Sequence, residues 1–450
     1  MLSFGFDSIS RLFASVLCWL NRGECLNGSV NQLLECVGAR RTIVSGAGEF
    51  LFGGGEIMRW ILGVLAMSLV AGNLVIDGAR ANEPEIPAIS EAMQQFVADK
   101  EIAGAVTLVV GPESVKHVSV VGMADVAEAT PLKRDTLFWI ASMTKPITGA
   151  CVLMLQDEGK LSVDDPISKH LPMMKHLKLA DGTPANITIR HLMTHTSGMS
   201  ELPRESAYTD PTLEAVAKRY AELPVLFEPG SEWRYSQTGI NTAARIVEVV
   251  SGMTFDRFVE ERVCQPLGMK DTTFYLTPEQ HERLTKTYRV VEGDGEKPKR
   301  LEEATISVLS GGTAMNRNRF PAANGGLFST ADDYAKFCQM LLRDGRVDDE
   351  QLLSKAAVQQ MRTICTGDLK TGFTPGNGWA IGCCVIREPQ GVTKALTPGT
   401  FGHGGAHGTQ VWIDSDKGVA MILMVQRANF PNADASQVRQ AFGEALMQAL

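Results

Sequence analysis

The sequence predicts an α+β fold: an antiparallel sheet built from both ends of the chain and flanked by helices, with a mainly helical lobe inserted between. Three observations carry this reading. Strand-like segments lie near 103–121 and return only after 379. The stretch between has apolar residues at helical spacing, broken by Gly and Pro loops. Amphipathic helical segments stand just before the first strands and just after the last ones.

Each element follows in order. Pro87 to Asp99 places Ile89, Met93, Phe96 and Val97 at helical spacing. Pro87 suits the first turn, where its missing N–H costs nothing. Ala103 to Val110 is β-rich, Gly111-Pro112-Glu113-Ser114 turns the chain, and Val115 to Val121 reads as the hairpin partner. Thr144 to Gly159 is helical. From Leu161 to Gln360, the inserted lobe, a helix over Ile240 to Val250 ends at Ser251-Gly252, and another follows Ser329, which pairs as a cap with Asp332. Trp379 to Arg387 reads as one strand. Gly408 to Asp414 and Val419 to Gln426 are two more, joined by Asp416-Lys417-Gly418. A helix through Val438, Phe442, Leu446 and Leu450 closes the chain.

The composition is that of a globular protein, 44% hydrophobic and 21% charged over 450 residues. A formal charge of -8 argues against nucleic acid and anionic lipid as partners, since both need a basic face. The nine cysteines show no metal spacing and read mostly as small core residues. Residues 58–81 have the pattern of a secretion signal: Met58-Arg59, an apolar run from Trp60 to Ile76, then Ala79-Arg80-Ala81 as a small-x-small cleavage site. The expectation is an exported, periplasmic or extracellular protein whose folded domain is 82–450, membrane-anchored only if the segment stays uncleaved. Residues 1–57 are then a non-native upstream extension, with translation starting at Met58, or a disordered segment.

Ser142-Met143-Thr144-Lys145 carries the first sign of chemistry. It follows Phe138, Trp139 and Ile140 and opens a helical run. A Ser and a Lys three apart at a helix start share one face. The helix N-terminus favours negative charge on the oxygen, and a desolvated Lys with lowered pKa takes its proton. Tyr235-Ser236-Gln237 opens a second helix after Pro229-Gly230, and a Tyr near a cation can act as a base by way of its phenolate. Gly402-His403-Gly404-Gly405-Ala406 stands at a late strand, where glycines let backbone approach a ligand and N–H groups can form half of an oxyanion hole, Ser142 N–H being the other half. No step calls for a cofactor or a metal. His191 and His195 are four apart but lack the Glu of a zinc hydrolase, and His403 and His407 have no visible third ligand. No G-x-S-x-G elbow occurs.

The order of S-x-x-K, Tyr-Ser-x and a late glycine-containing triplet resembles the penicillin-recognising serine hydrolases, and most closely the group of class C β-lactamases, DD-peptidases and family VIII esterases. His191-Leu192-Met193-Thr194-His195-Thr196-Ser197-Gly198, Pro266-Leu267-Gly268-Met269 and Gly325-Gly326-Leu327-Phe328-Ser329-Thr330 are also similar to that group. The resemblance runs from about Pro87 to the C-terminus. It implies a cleft between sheet and helical domain, Ser142 as nucleophile, Lys145 and Tyr235 as the proton-transfer pair, and Ala406 N–H as oxyanion donor beside Gly405. Two positions depart from it. Gln237 stands where the β-lactamases usually have Asn, and His403 where a Lys usually answers a substrate carboxylate. A His is mostly neutral at pH 7. The expectation is a serine hydrolase acting through an acyl-enzyme on a small ester, amide or peptide, esterase-like. The alternatives are a β-lactamase or D-alanyl-D-alanine carboxypeptidase and, in another class, a non-catalytic protein binding cell-wall fragments on the same scaffold. The loops from Val291 to Ala323, where specificity would lie, carry no readable motif.

Overall fold

Eight strands pair antiparallel throughout in one sheet, and its middle is made where the two ends of the chain meet. In chain order they are β1 (Gly104–Val110), β2 (Val115–Asp125), β3 (Thr130–Pro131), β4 (Asn377–Trp379), β5 (Cys384–Ile386), β6 (Phe401–Gly404), β7 (Gln410–Asp414) and β8 (Val419–Met424). Their spatial order is β4-β5-β6-β7-β8-β1-β2-β3. The computed structural model describes residues 84–450 apart from 296 and 311, so the expectations for 1–57 and 58–81 lie outside the described residues.

Every residue of β1 and β8 is buried, because both faces of the sheet are covered. Alternation still sorts the side chains. Val106, Leu108 and Val110 with Ile422 and Met424 join the larger core, while Ala105 and Val109 with Met421 and Leu423 face Ile89, Met93, Phe442 and Leu446. The second set comes from α1 (Pro87–Ala98) and α5 (Gln437–Ala449), which pack side by side over one face. On the other face lie α2 (Thr144–Asp157), α3 (Gln237–Ser251) and α4 (Ala331–Leu342) with the rest of the middle segment.

Two expectations change. The segment from Trp379 to Arg387 is not one strand but the facing ends of β4 and β5, turned through Ala380–Cys383. Ala380 N–H donates to Cys383 O at 2.9 Å, and Gly382 takes the left-handed conformation, φ +73°. The cap of α4 is Thr330, whose hydroxyl accepts from Asp333 N–H at 3.2 Å, while Ser329 lies in the short strand Phe328–Ser329. That strand pairs with Phe138–Trp139 and fixes the approach to Ser142. Cys151, Cys264, Cys338, Cys383 and Cys384 are buried free thiols, as a reading of them as core residues expects.

Candidate active site

Ser142 sits on a tight turn rather than on a regular helix. Ala141, just before it, has φ +45°, a strained conformation for a residue with a Cβ, and Ala141–Met143 forms a 3-10 turn running into α2. Neighbouring bonds hold the strain in place. Ile140 N–H donates to Leu327 O at 3.1 Å, and Trp139 Nε1–H donates to Gly325 O at 2.7 Å.

One turn along α2, Lys145 is fully buried. Its Nζ lies 3.1 Å from Ser142 Oγ, 3.1 Å from Gln237 Oε1 and 2.6 Å from Asn324 O. The last two atoms only accept, and so take two N–H bonds. The third position of the nitrogen, N–H when charged and lone pair when neutral, is left for the serine. Burial is the main cause that lowers the Lys145 pKa to about 7, and the more distant Glu201 and Asp434 oppose it. Gln237 differs in length from the usual Asn but keeps the lysine's acceptor. Its Oε1 also accepts from Asn324 Nδ2 at 2.9 Å, so this amide holds Lys145 rather than standing free.

Tyr235 reaches the same oxygen from the other side. Its phenol hydrogen-bonds Ser142 and lies 3.4 Å from His403 Nε2, and Lys145 Nζ stands 4.6 Å from its ring centroid. Burial pushes the phenol well above its usual range, so the resting group is a phenol and not a phenolate. His403 Nδ1 lies 2.7 Å from Gly404 O, an acceptor only, so Nδ1 carries the proton of a neutral ring and Nε2 offers a lone pair to the tyrosine. Burial, then Lys145, hold His403 well below its ordinary pKa. This refines the sequence reading: the neutral imidazole spends its one N–H on backbone and has none for a substrate.

The turn that follows β6 lies tight against the segment carrying Ser142. Gly405 N–H donates to Thr409 O at 2.7 Å and is not an oxyanion donor. A Cβ on Gly405 would come within 1.9 Å of Thr409 Oγ1 and 2.7 Å of Ile140 O, so this position must be glycine for the turn to lie against the segment that presents Ser142. Ala406, next in the turn, is exposed. Arg439 of α5 braces the turn through Gly405 O at 2.8 Å and Thr409 O at 2.5 Å, and pairs with Asp434 at 2.6 Å.

Sequence reasoning missed Asn324, Arg439 and Glu201. Glu201 accepts from Ser236 Oγ at 2.7 Å and Gln237 N–H at 2.8 Å, placing a carboxylate on the N-terminus of α3. No motif marks these three, because each acts through backbone groups of distant segments. The histidines of the two pairs have different partners. His191 Nδ1 accepts from Thr188 N–H at 3.3 Å in a capping box, and His195 lies against Tyr235. His407 packs edge-on against Trp139, with ring centroids 4.6 Å apart. An aromatic wall of Trp233, Phe373 and Trp379 borders Tyr235, and Phe373 is half exposed. A cavity of about 580 Å³, lined by Glu201, Tyr208, Tyr220, Thr238 and Asn241 among others, shares Gln237 with the lysine network.

Comparison with known proteins places the chain in a family. The family model described as Beta-lactamase matches residues 89–444. The chain belongs to the beta-lactamase family, and it is a serine hydrolase. Among its relatives is Protein Rv1367c of Mycobacterium tuberculosis, 33% identical over 368 residues, covering 74% of this chain and 88% of that one. Esterase EstB of Burkholderia gladioli is 27% identical, covering 76% and 90%. The solved structure of EstCE1, a hydrolase with promiscuous acyltransferase activity, aligns with a TM-score of 0.69 at 25% identity, over 80% of this chain and 97% of that one.

Proposed function

We propose that Ser142 is the acyl-accepting nucleophile of an esterase, with Lys145 and Tyr235 as its proton-transfer pair and Ser142 N–H with Ala406 N–H as the oxyanion hole. The observation that carries this is the buried Lys145 amine. Two carbonyl acceptors fix it, its pKa is about 7, and its remaining valence faces Ser142 Oγ at 3.1 Å. As Oγ bonds to the carbonyl carbon, its proton passes to the Lys145 lone pair and the carbonyl oxygen becomes an oxyanion. Collapse expels the alkoxide, which takes the Tyr235 phenolic proton. The Lys145 ammonium then gives its proton to the Tyr235 phenolate, which restores the neutral amine and the phenol. Water then attacks the acyl-enzyme along the reverse path, giving the carboxylic acid and free Ser142.

Neutral esters suit this site better than anionic lactams or peptides. His403 stands where the lysine would be and stays uncharged. The relative named as an esterase, EstB, lends support. We also propose, on the 58–81 pattern alone, that the chain is exported and works on small molecules outside the cytoplasm; the N-terminus of the exported protein should then lie near Asn82. The test of the site is direct. Ser142→Ala should abolish p-nitrophenyl ester turnover with an unchanged circular dichroism spectrum, and a fluorophosphonate should label Ser142. Labelling at another serine would remove Ser142 from its role, and a stable, unreactive wild-type protein would favour a non-catalytic binding protein.

A further inference from the structure

We infer that His195 is a positioning residue for Tyr235, gripping the chain on both sides of the tyrosine. The inference rests on the reading of Tyr235 as a proton-transfer partner. His195 follows the short helix Ile189–Met193 and adopts φ +62°, a left-handed conformation that a side chain bearing a Cβ rarely takes. What holds it there points to one target. His195 O accepts from Arg234 N–H at 2.9 Å, and His195 Nδ1 accepts from Ser236 N–H at 3.1 Å. The residues before and after Tyr235 are therefore both bonded to this one histidine. Its ring lies on Tyr235 itself, centroids 4.4 Å apart, and Trp379 and Trp233 meet it edge-on at 4.5 Å and 6.0 Å.

The side chain is 1% exposed, so the ring is not a surface cap. An N–H donor at Nδ1 leaves the ring proton on Nε2, and Nε2 has no hydrogen-bond partner among the described residues. The imidazole is thus held for its Nδ1 lone pair and its flat face, not for its proton. It touches neither Ser142 nor Lys145 by hydrogen bond, and so acts through Tyr235. A leucine or phenylalanine would fill the space but leave Ser236 N–H without its acceptor. Asparagine tolerates the left-handed conformation and places an oxygen acceptor close to Cβ. Glycine relieves the backbone strain but supplies neither ring nor acceptor.

The experiment compares His195→Phe, His195→Gly and His195→Asn, each alone and combined with Tyr235→Phe, on a p-nitrophenyl ester, with melting temperatures alongside. His195→Phe and His195→Gly should each lower kcat about tenfold to a hundredfold with little change in KM, as a misplacement of about 1 Å does. His195→Asn should recover most of that kcat. In the Tyr235→Phe background the three variants should cost little more. His195→Gly keeps the test open if His195→Phe does not fold, because glycine is at home at this φ. A wild-type kcat in His195→Gly beside a crippled Tyr235→Phe would overturn this inference alone, as would equal losses in both backgrounds. A wild-type rate in Tyr235→Phe itself would overturn the reading of the tyrosine.

Discussion

At the scale of single residues, the site is governed by how few charges it contains. Lys145 is the cation nearest Ser142, and its value depends on being uncharged part of the time. With a pKa of about 7, the amine is protonated below that value and free above it. The sign follows: kcat/KM for a neutral ester should rise with pH through about 7 and level off above it, since the free amine is the base. Lys145→Arg should remove this limb with the activity, because a guanidinium does not deprotonate. A rate that is flat through neutrality would contradict the assignment. His403 sets the second test. His403→Lys would put another ammonium beside Lys145 and lower its pKa further, so the limb should move to lower pH. The ratio of specificity constants for nitrocefin over a neutral ester should rise at the same time, modestly, because Gln237 is also altered. If neither the limb nor the ratio moves, His403 only supports the fold.

At the scale of elements, the geometry of Ser142 and Lys145 depends on how α2 seats against the β4–β5 turn. A Cβ on Gly149 would lie 2.9 Å from Ile381 O, and one on Gly382 would lie 2.7 Å from Lys145 O. The two glycines therefore let helix and turn approach backbone to backbone. Gly149→Val should force them apart, lowering stability by about 1–3 kcal/mol as overpacking does. Turnover should fall further than the melting temperature alone explains, because Lys145 rides on the displaced helix. Differential scanning calorimetry with parallel kinetics checks this, and an unchanged kcat would mean that the lysine finds its position independently of the turn. The strand expected across 379–387 failed for a related reason. Residues 379–386 are all buried and the run is β-rich, and nothing in it shows that Gly382 will reverse it. Capping at Thr330 instead of Ser329 is a smaller miss: both hydroxyls offer the same chemistry, and only the pairing of Phe328–Ser329 with Phe138–Trp139 decides between them.

For the molecule as a whole, the position of β1 between β8 and β2 means that the sheet closes only when the two ends of the domain meet. Pairing Val106 with Met424 spans most of the domain, and such contacts form late. A chain ending at residue 400 would lack β6, β7 and β8 and leave β1 as a bare edge, so it should collect in the insoluble fraction. A chain beginning at Asn82 should instead fold and hydrolyse esters at the full rate. Loss of activity in that protein would show that the folded domain extends upstream of the proposed boundary.

By itself the sequence determined the fold class and the order of the main helices and strands, and it singled out Ser142, Lys145, Tyr235 and His403 as candidates. Periodicity and short motifs are local properties, written in consecutive residues. Only the tertiary structure decided how each of these groups is held. It placed Asn324 O and Gln237 Oε1 on Lys145, spent the His403 N–H on Gly404 O, used Gly405 as a spacer, and set His195 around Tyr235. The physical reason is that hydrogen bonding and desolvation act between segments far apart in the chain. A lysine loses its tendency to stay charged, or a histidine is left as an acceptor, through neighbours that the local sequence does not name.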